Sequence, residues 1–197
     1  MGGAEKLMTG LMKKWLVGAI SLLLLSSVFA SELADKLKQP NYALLMRHTL
    51  APGVGDPAGY TLHDCSSQRN LSTQGRQQAV RVGQWLRQQG VTSAQVRTSP
   101  WCRCKDTAQL LGFDKPAVDP ALASFFDEPQ RAGEFTQQLQ KLLAQASHTK
   151  GSQALVLVTH HVNILDYMGD NVDSGDMVLV QFDAQGKLLS AKRYPRP

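Results

Sequence analysis

Three short clusters carry the residues able to do chemistry. Arg47-His48, then Ser99-Pro100 with Arg103 just beyond, and Thr159-His160-His161 each follow a run suited to a β-strand. Arginine presents a rigid fork of donors that matches phosphate or carboxylate oxygens and never loses its charge. A neutral imidazole attacks phosphorus and forms a covalent intermediate, dividing one difficult step into two. A second imidazole stabilises charge on the transferring oxygens. Phosphoryl transfer rests on positioning and charge neutralisation, so no metal and no organic cofactor is required. Each cluster alone has a bland reading: an incidental pair, a solvated helix arginine, a helix-capping histidine. Their coincidence at three strand exits points to an anion site.

The elements that must position these groups are readable. Tyr42 to Met46 is a compact apolar run bounded by Pro40-Asn41 and Arg47, as a buried strand requires. Residues 31–39 predict a short helix before it, stopped by Pro40. Ala51 to Asn70, rich in Pro, Gly, Asp and Ser, predicts a long loop of the kind that carries function. Ser72 is a helix cap, Ala79, Val82, Trp85 and Leu86 recur at helical spacing, and Gly90 closes the helix. A short strand, Gln95 to Thr98, and a helix from about Trp101 to Leu111 follow. Pro116 to Gln130 reads as irregular.

Phe135, Leu139, Leu142, Leu143 and Ala146 mark a third amphipathic helix. Ala154 to Val158 is the clearest buried strand, and a short helix follows it through Leu165 and Met168. Met177 to Phe182 and Lys187 to Tyr194, joined by Asp183-Ala184-Gln185-Gly186, form a hairpin. Strands alternating with helices predict one α/β domain of three layers, αβα, around a mostly parallel sheet. In such sheets ligands collect beyond the carboxyl ends of the strands, where all three clusters fall.

Composition narrows the function classes. Of 197 residues, 43% are hydrophobic and 19% charged, which excludes a disordered chain. Lys13 and Lys14, an uncharged stretch from Trp15 to Val28, and the small-x-small exit Val28-Phe29-Ala30 describe a secretory signal peptide. Residues 1–30 are therefore expected to be removed, leaving residues 31–197 as a periplasmic or secreted domain without stable membrane insertion. That part holds 18 basic and 15 acidic residues in no stripe, which excludes a nucleic-acid footprint. Cys65, Cys102 and Cys104 all lie in it, where oxidation is permitted. Cys102 and Cys104, two apart on a helix, point in different directions. The expectation is a bridge from Cys65 to one or the other, against the alternative of three free thiols.

Four motifs resemble those of the histidine phosphatase superfamily, the phosphoglycerate mutase-like fold. Leu44-Leu45-Met46-Arg47-His48-Thr49 is similar to its Arg-His-Gly signature. Asn70 to Ala79 resembles its Leu-Ser/Thr-x-x-Gly-x-x-Gln-Ala helix entry, and Ser99 to Ala108 its Ser-Ser-Pro-x-x-Arg-x-x-x-Thr-Ala motif. Leu157-Val158-Thr159-His160 resembles the strand of its second histidine. The resemblance implies a phosphohistidine on His48, with Arg47, Arg103 and His160 clamping the phosphoryl group. Arg69 and His161 are further candidates for substrate contact, although His161 also reads as a bystander.

Two departures stand out. Thr49 replaces the usual glycine, narrowing the pocket floor or offering a hydroxyl to phosphate. Leu122-Ala123-Ser124 puts serine where the family often has its acidic residue. Asp127 is then the first candidate for general acid, with Glu128, Asp64 and Asp56 as alternatives. A poorly placed acid favours good leaving groups. The function implied is an exported phosphomonoester hydrolase, a monomer acting on a small phosphorylated substrate such as a sugar phosphate. A mutase-like phosphotransferase and a weakly active sugar-phosphate binding module are the alternatives.

Overall fold

The strand leading into Arg47-His48 is apolar throughout because sheet neighbours flank it and helices cover both its faces. In the computed structural model, residues 32–197 are described; the expected signal peptide lies outside them. In chain order the elements are α1 (Glu32–Lys38), β1 (Tyr42–Arg47), α2 (Thr73–Gln88), β2 (Ala94–Thr98), α3 (Cys102–Leu110) and β3 (Ala117–Val118). Then come α4 (Ala132–Thr149), β4 (Ala154–Thr159), α5 (His161–Met168), β5 (Met177–Phe182) and β6 (Leu188–Tyr194). The sheet order is β3-β2-β4-β1-β5-β6. The first four strands of that order run parallel, and the closing hairpin adds β5 antiparallel to β1 and β6 antiparallel to β5 at one edge. The mostly parallel three-layer α/β sandwich expected from the sequence is therefore the fold.

The pleat divides the core. Leu44, Met46, Val156 and Val158 face one side, where Leu37 of α1, Val82 and Leu86 of α2 and Ala108 of α3 cover them. Ala43, Leu45, Leu155 and Leu157 face the other, against Leu139, Leu142 and Leu143 of α4 and Ile164 of α5. Each fully buried leucine contributes roughly 1.5–3 kcal/mol of transfer free energy. Among the described residues no helix is long and apolar enough to cross a membrane. One segment differs from expectation. Residues 116–130 contain β3, an exposed two-residue strand paired with β2, and two 3₁₀ turns. Two residues are too few to print an alternation on the sequence.

Register places the strand exits together. Arg47 is the parallel partner of Thr159, and Thr98 that of Val158. The His48 N–H donates to the Thr159 carbonyl (3.0 Å), and the Ser99 N–H to that of Val158 (3.0 Å). Helix α2 locks the segment after His48 from below. Its cap, Ser72, accepts from the Gly75 N–H (3.0 Å), while the Ser72 N–H donates to the Leu50 carbonyl (3.1 Å). A Cβ at position 75 would lie 2.0 Å from that carbonyl oxygen, so only glycine permits the approach. The long loop 51–70 is held by a disulfide between Cys65 and Cys102, Cα atoms 5.7 Å apart; Cys104 is free and buried.

Two measurements follow. Gly75→Ala is expected to lower unfolding stability in urea by about 1–3 kcal/mol, since backbone must move to admit the methyl. Replacing Cys65 and Cys102 together by serine should cost about 3–4 kcal/mol through the freed loop, an unchanged urea midpoint contradicting the staple's role.

Candidate active site

The three exits enclose a small cavity of about 70 Å³, room for a few waters or one phosphoryl group but not a whole metabolite. Its walls include Arg47, His48, Arg69, Arg103, His160 and His161. A larger groove of about 580 Å³ runs along α2 on the other side of Arg47, lined by Gln74, Gln77 and Arg81, but neither buried histidine faces it. The chemistry resides in the smaller space.

His48 is 1% exposed, and its Nδ1 lies 2.8 Å from the Thr49 carbonyl oxygen. A carbonyl only accepts, so Nδ1 carries the proton and Nε2 is left with a lone pair. Burial, then the positive charges of Arg103, Arg69 and Arg47, push this imidazole down to about 3. It is neutral, and hence nucleophilic, across the physiological range. The His160 ring stands edge-on to it, centroids 5.5 Å apart. The Nε2 of His160 is 2.8 Å from the Ser99 hydroxyl and 3.5 Å from the Cys104 thiol, which fixes the ring from behind. Burial, with His48 and Arg103 nearby, lowers the His160 value well below that of free histidine. Burial also pushes the Cys104 thiol up to about 12, so it is a packing group rather than a nucleophile.

The arginines are only partly satisfied by protein. Arg47 donates from Nη1 to the Val172 carbonyl (2.8 Å), and Arg103 from Nη1 to both oxygens of Asp56 (2.9 and 3.1 Å). The Nε–H of each is buried without a partner. Buried N–H groups are nearly always paired, and unpartnered guanidinium donors on two residues of one cavity's wall suit it to an anion. Arg69 donates from Nε to the Gly55 carbonyl (2.8 Å) and from Nη1 to that of Ala51, tying the loop into the wall.

Residues 44–128 match the family model described as the histidine phosphatase superfamily, branch 1. Over that stretch the chain is similar to this superfamily. Solved structures with the same fold include the protein histidine phosphatase SixA complexed with tungstate, at 21% identity, covering 76% of this chain and 95% of that one (TM-score 0.50). A phosphoserine phosphatase from Entamoeba histolytica in complex with 3-phosphoglyceric acid is 15% identical over 75% and 93% of the two chains (TM-score 0.54). A mycobacterial glucosyl-3-phosphoglycerate phosphatase bound to VO3 is 16% identical over 72% and 92% (TM-score 0.55). A comparison with curated protein sequences finds no match.

The structure gathers His48, Arg47, Arg103, His160, Arg69 and His161 on one cavity, His161 beside Phe126 (5.9 Å between rings). Thr49 is a correction. It is fully buried and turned from the cavity, its hydroxyl donating to the Thr107 hydroxyl (3.0 Å), which in turn donates to the Arg103 carbonyl (2.7 Å). It does not line the cavity. Instead it ties the end of β1 to the first turn of α3. Among the carboxylates, Asp127 stands exposed at the cavity mouth, where the Tyr60 hydroxyl donates to it (3.3 Å). Glu128 lines the adjoining groove and pairs with Arg131 (2.8 Å). Asp64 caps the turn at Cys65–Ser67, accepting from the Ser66 N–H (2.9 Å), and does not line the cavity. Ser99 orients His160, a role that its residue type alone does not give. Its place between a strand end and Pro100 was the available signal.

The depressed histidines make stability pH-dependent. Their folded-state values lie below the unfolded value of ~6.5, so the unfolded chain takes up protons first. Stability is complete above that pH and falls as pH drops through it. Each of the two buried imidazoles is expected to remove up to about 1.4 kcal/mol per pH unit below ~6.5. Thermal unfolding followed from pH 7 to pH 5 should show a falling midpoint; a flat profile would mean the rings are not buried neutral.

Proposed function

We propose that the chain is an exported phosphatase that hydrolyses small phosphomonoesters, sugar phosphates among them, through a phosphohistidine on His48. The observation that carries this is the neutral, buried His48 with Nδ1 pinned and Nε2 free, beside two arginines with unpartnered N–H groups. Export is supported by the leader-like residues 1–30 and by the Cys65–Cys102 bridge, which persists in an oxidising compartment.

In the reading proposed, Nε2 of His48 attacks phosphorus in line with the ester oxygen. The N–P bond forms as the P–O bond to the leaving group breaks. Arg47, Arg103 and His160 hold the non-bridging oxygens, whose charge they neutralise as it redistributes. The alkoxide takes a proton from Asp127, whose carboxyl sits where the cavity opens. Water then enters by the same mouth and gives a proton back to Asp127 as it attacks phosphorus. The N–P bond breaks and orthophosphate leaves. Access of water through an exposed mouth favours hydrolysis over transfer to a second substrate. The bound leaving group would occupy the adjoining groove of about 370 Å³ beside Tyr60 and Trp101.

Steady-state phosphate release tests this reading. His48→Ala should lose at least about 10³-fold of its activity on an aryl phosphate. Asp127→Asn should cost about 10²-fold or more on an alkyl phosphate and far less on an aryl one, whose leaving group needs little protonation. Equal losses on both substrates would remove Asp127 from the acid's role.

A further inference from the structure

The carboxylate of Asp56 is the feature that the proposed reaction does not use. It belongs to the long loop, yet its side chain is 2% exposed, and that of Arg103, its partner, 4%. Each oxygen receives two donors. Oδ1 accepts from Arg103 Nη1 (2.9 Å) and the Arg69 N–H (2.9 Å); Oδ2 accepts from Arg103 Nη1 (3.1 Å) and the Trp101 indole N–H (3.1 Å). Four contacts from three donor nitrogens occupy both oxygens of this carboxylate, leaving little to address a leaving group. Asp56 is thus poorly suited to be the general acid, the role for which the sequence offers it as an alternative to Asp127.

The side of Arg103 that Asp56 occupies is informative. Both contacts are to Nη1, so the opposite edge, formed by Nε and Nη2, stays open, and Nε is buried without a partner. That edge is the one on which a phosphoryl group is held by two parallel N–H bonds. The Trp101 ring lies within 5.9 Å of the same guanidinium, and the Arg69 carbonyl accepts from its Nη1 (3.4 Å). Cys102, next to Arg103, is fixed to the loop by the disulfide, and its N–H donates to the Gln68 side-chain oxygen (2.9 Å).

We propose that Asp56 is a positioning residue: it grips Nη1 of Arg103 so that the Nε–Nη2 edge faces the phosphoryl group. This deepens the phosphatase reading and rests on it for the identity of the anion. An arginine held this way meets the anion without first losing side-chain freedom, whereas a released one pairs less tightly with it.

The test is the affinity for orthovanadate, measured by calorimetry on the disulfide-intact protein, beside turnover of p-nitrophenyl phosphate. Affinity per binding-competent molecule is insensitive to a loss of folded fraction, which a merely structural role would produce. Asp56→Asn is expected to weaken orthovanadate binding about tenfold or more, and Trp101→Phe, which removes one donor to Asp56 and keeps the ring packing, about threefold. Arg103→Ala should weaken it further, and adding Asp56→Asn to that variant should change nothing more. Should Asp56→Asn fail to fold, Trp101→Phe alone carries the comparison. Affinity within twofold of wild type in the folded variants, or losses that multiply in the double variant, overturns the proposal. Absence of wild-type turnover would sink the phosphatase reading instead, and a shifted orthovanadate affinity would still support the grip on Arg103.

Discussion

Two imidazoles buried side by side, with three guanidinium groups around them, persist only if both are uncharged. Much of the site follows from that constraint. Adjacent parallel strands lie about 4.8 Å apart, and the pairing of Arg47 with Thr159 brings the next residues, His48 and His160, to the same level. A shift of one residue would turn one ring from the other. The apolar faces of β1 and β4, buried against helices on both sides, fix that register. The core therefore supplies chemistry as well as stability: it removes water from the rings and keeps the lone pair of His48 Nε2 available.

Positive charge at the cavity is the second element, and it is only partly answered by protein. Among the described residues Asp56 is the one carboxylate ion-paired with a clamp arginine, Arg103, and the Nε–H groups of Arg47 and Arg103 stay unpaired. A folded chain tolerates such a deficit where a ligand removes it. The loop that supplies Asp56 and Arg69 buries little apolar surface of its own. Hydrogen bonds from Arg69 to the loop's carbonyls and the Cys65–Cys102 bridge hold it in place. Catalytic power thus depends on a segment whose order comes from covalent and polar ties rather than from packing.

Much of this was legible in the residues. Ala154 to Val158 and Tyr42 to Met46 announced buried strands by unbroken apolar runs, and Ser72 announced the start of α2. The groups leaving the strands gave the nucleophile and clamp candidates. The misreading of Thr49 has a simple cause: successive residues leaving a strand point to opposite faces, so with His48 turned to the cavity Thr49 turns away. The same parity on a helix separates Cys102, which meets Cys65, from Cys104, which packs behind His160; direction excluded their mutual pairing but not the choice between them. Asp56 could not be ranked above Asp64 from sequence. Both lie in one polar loop, and only the folded path of residues 51–70 puts one on Arg103 and the other on a surface turn.

The most direct measurement is rapid quenching of the enzyme during turnover of a phosphomonoester, followed by peptide mass spectrometry under alkaline conditions. The account predicts an acid-labile, alkali-stable phosphoryl group on His48, formed within one turnover and gone when substrate is exhausted. Phosphate release at full rate with no adduct on that side chain, or an adduct on another residue, would contradict it.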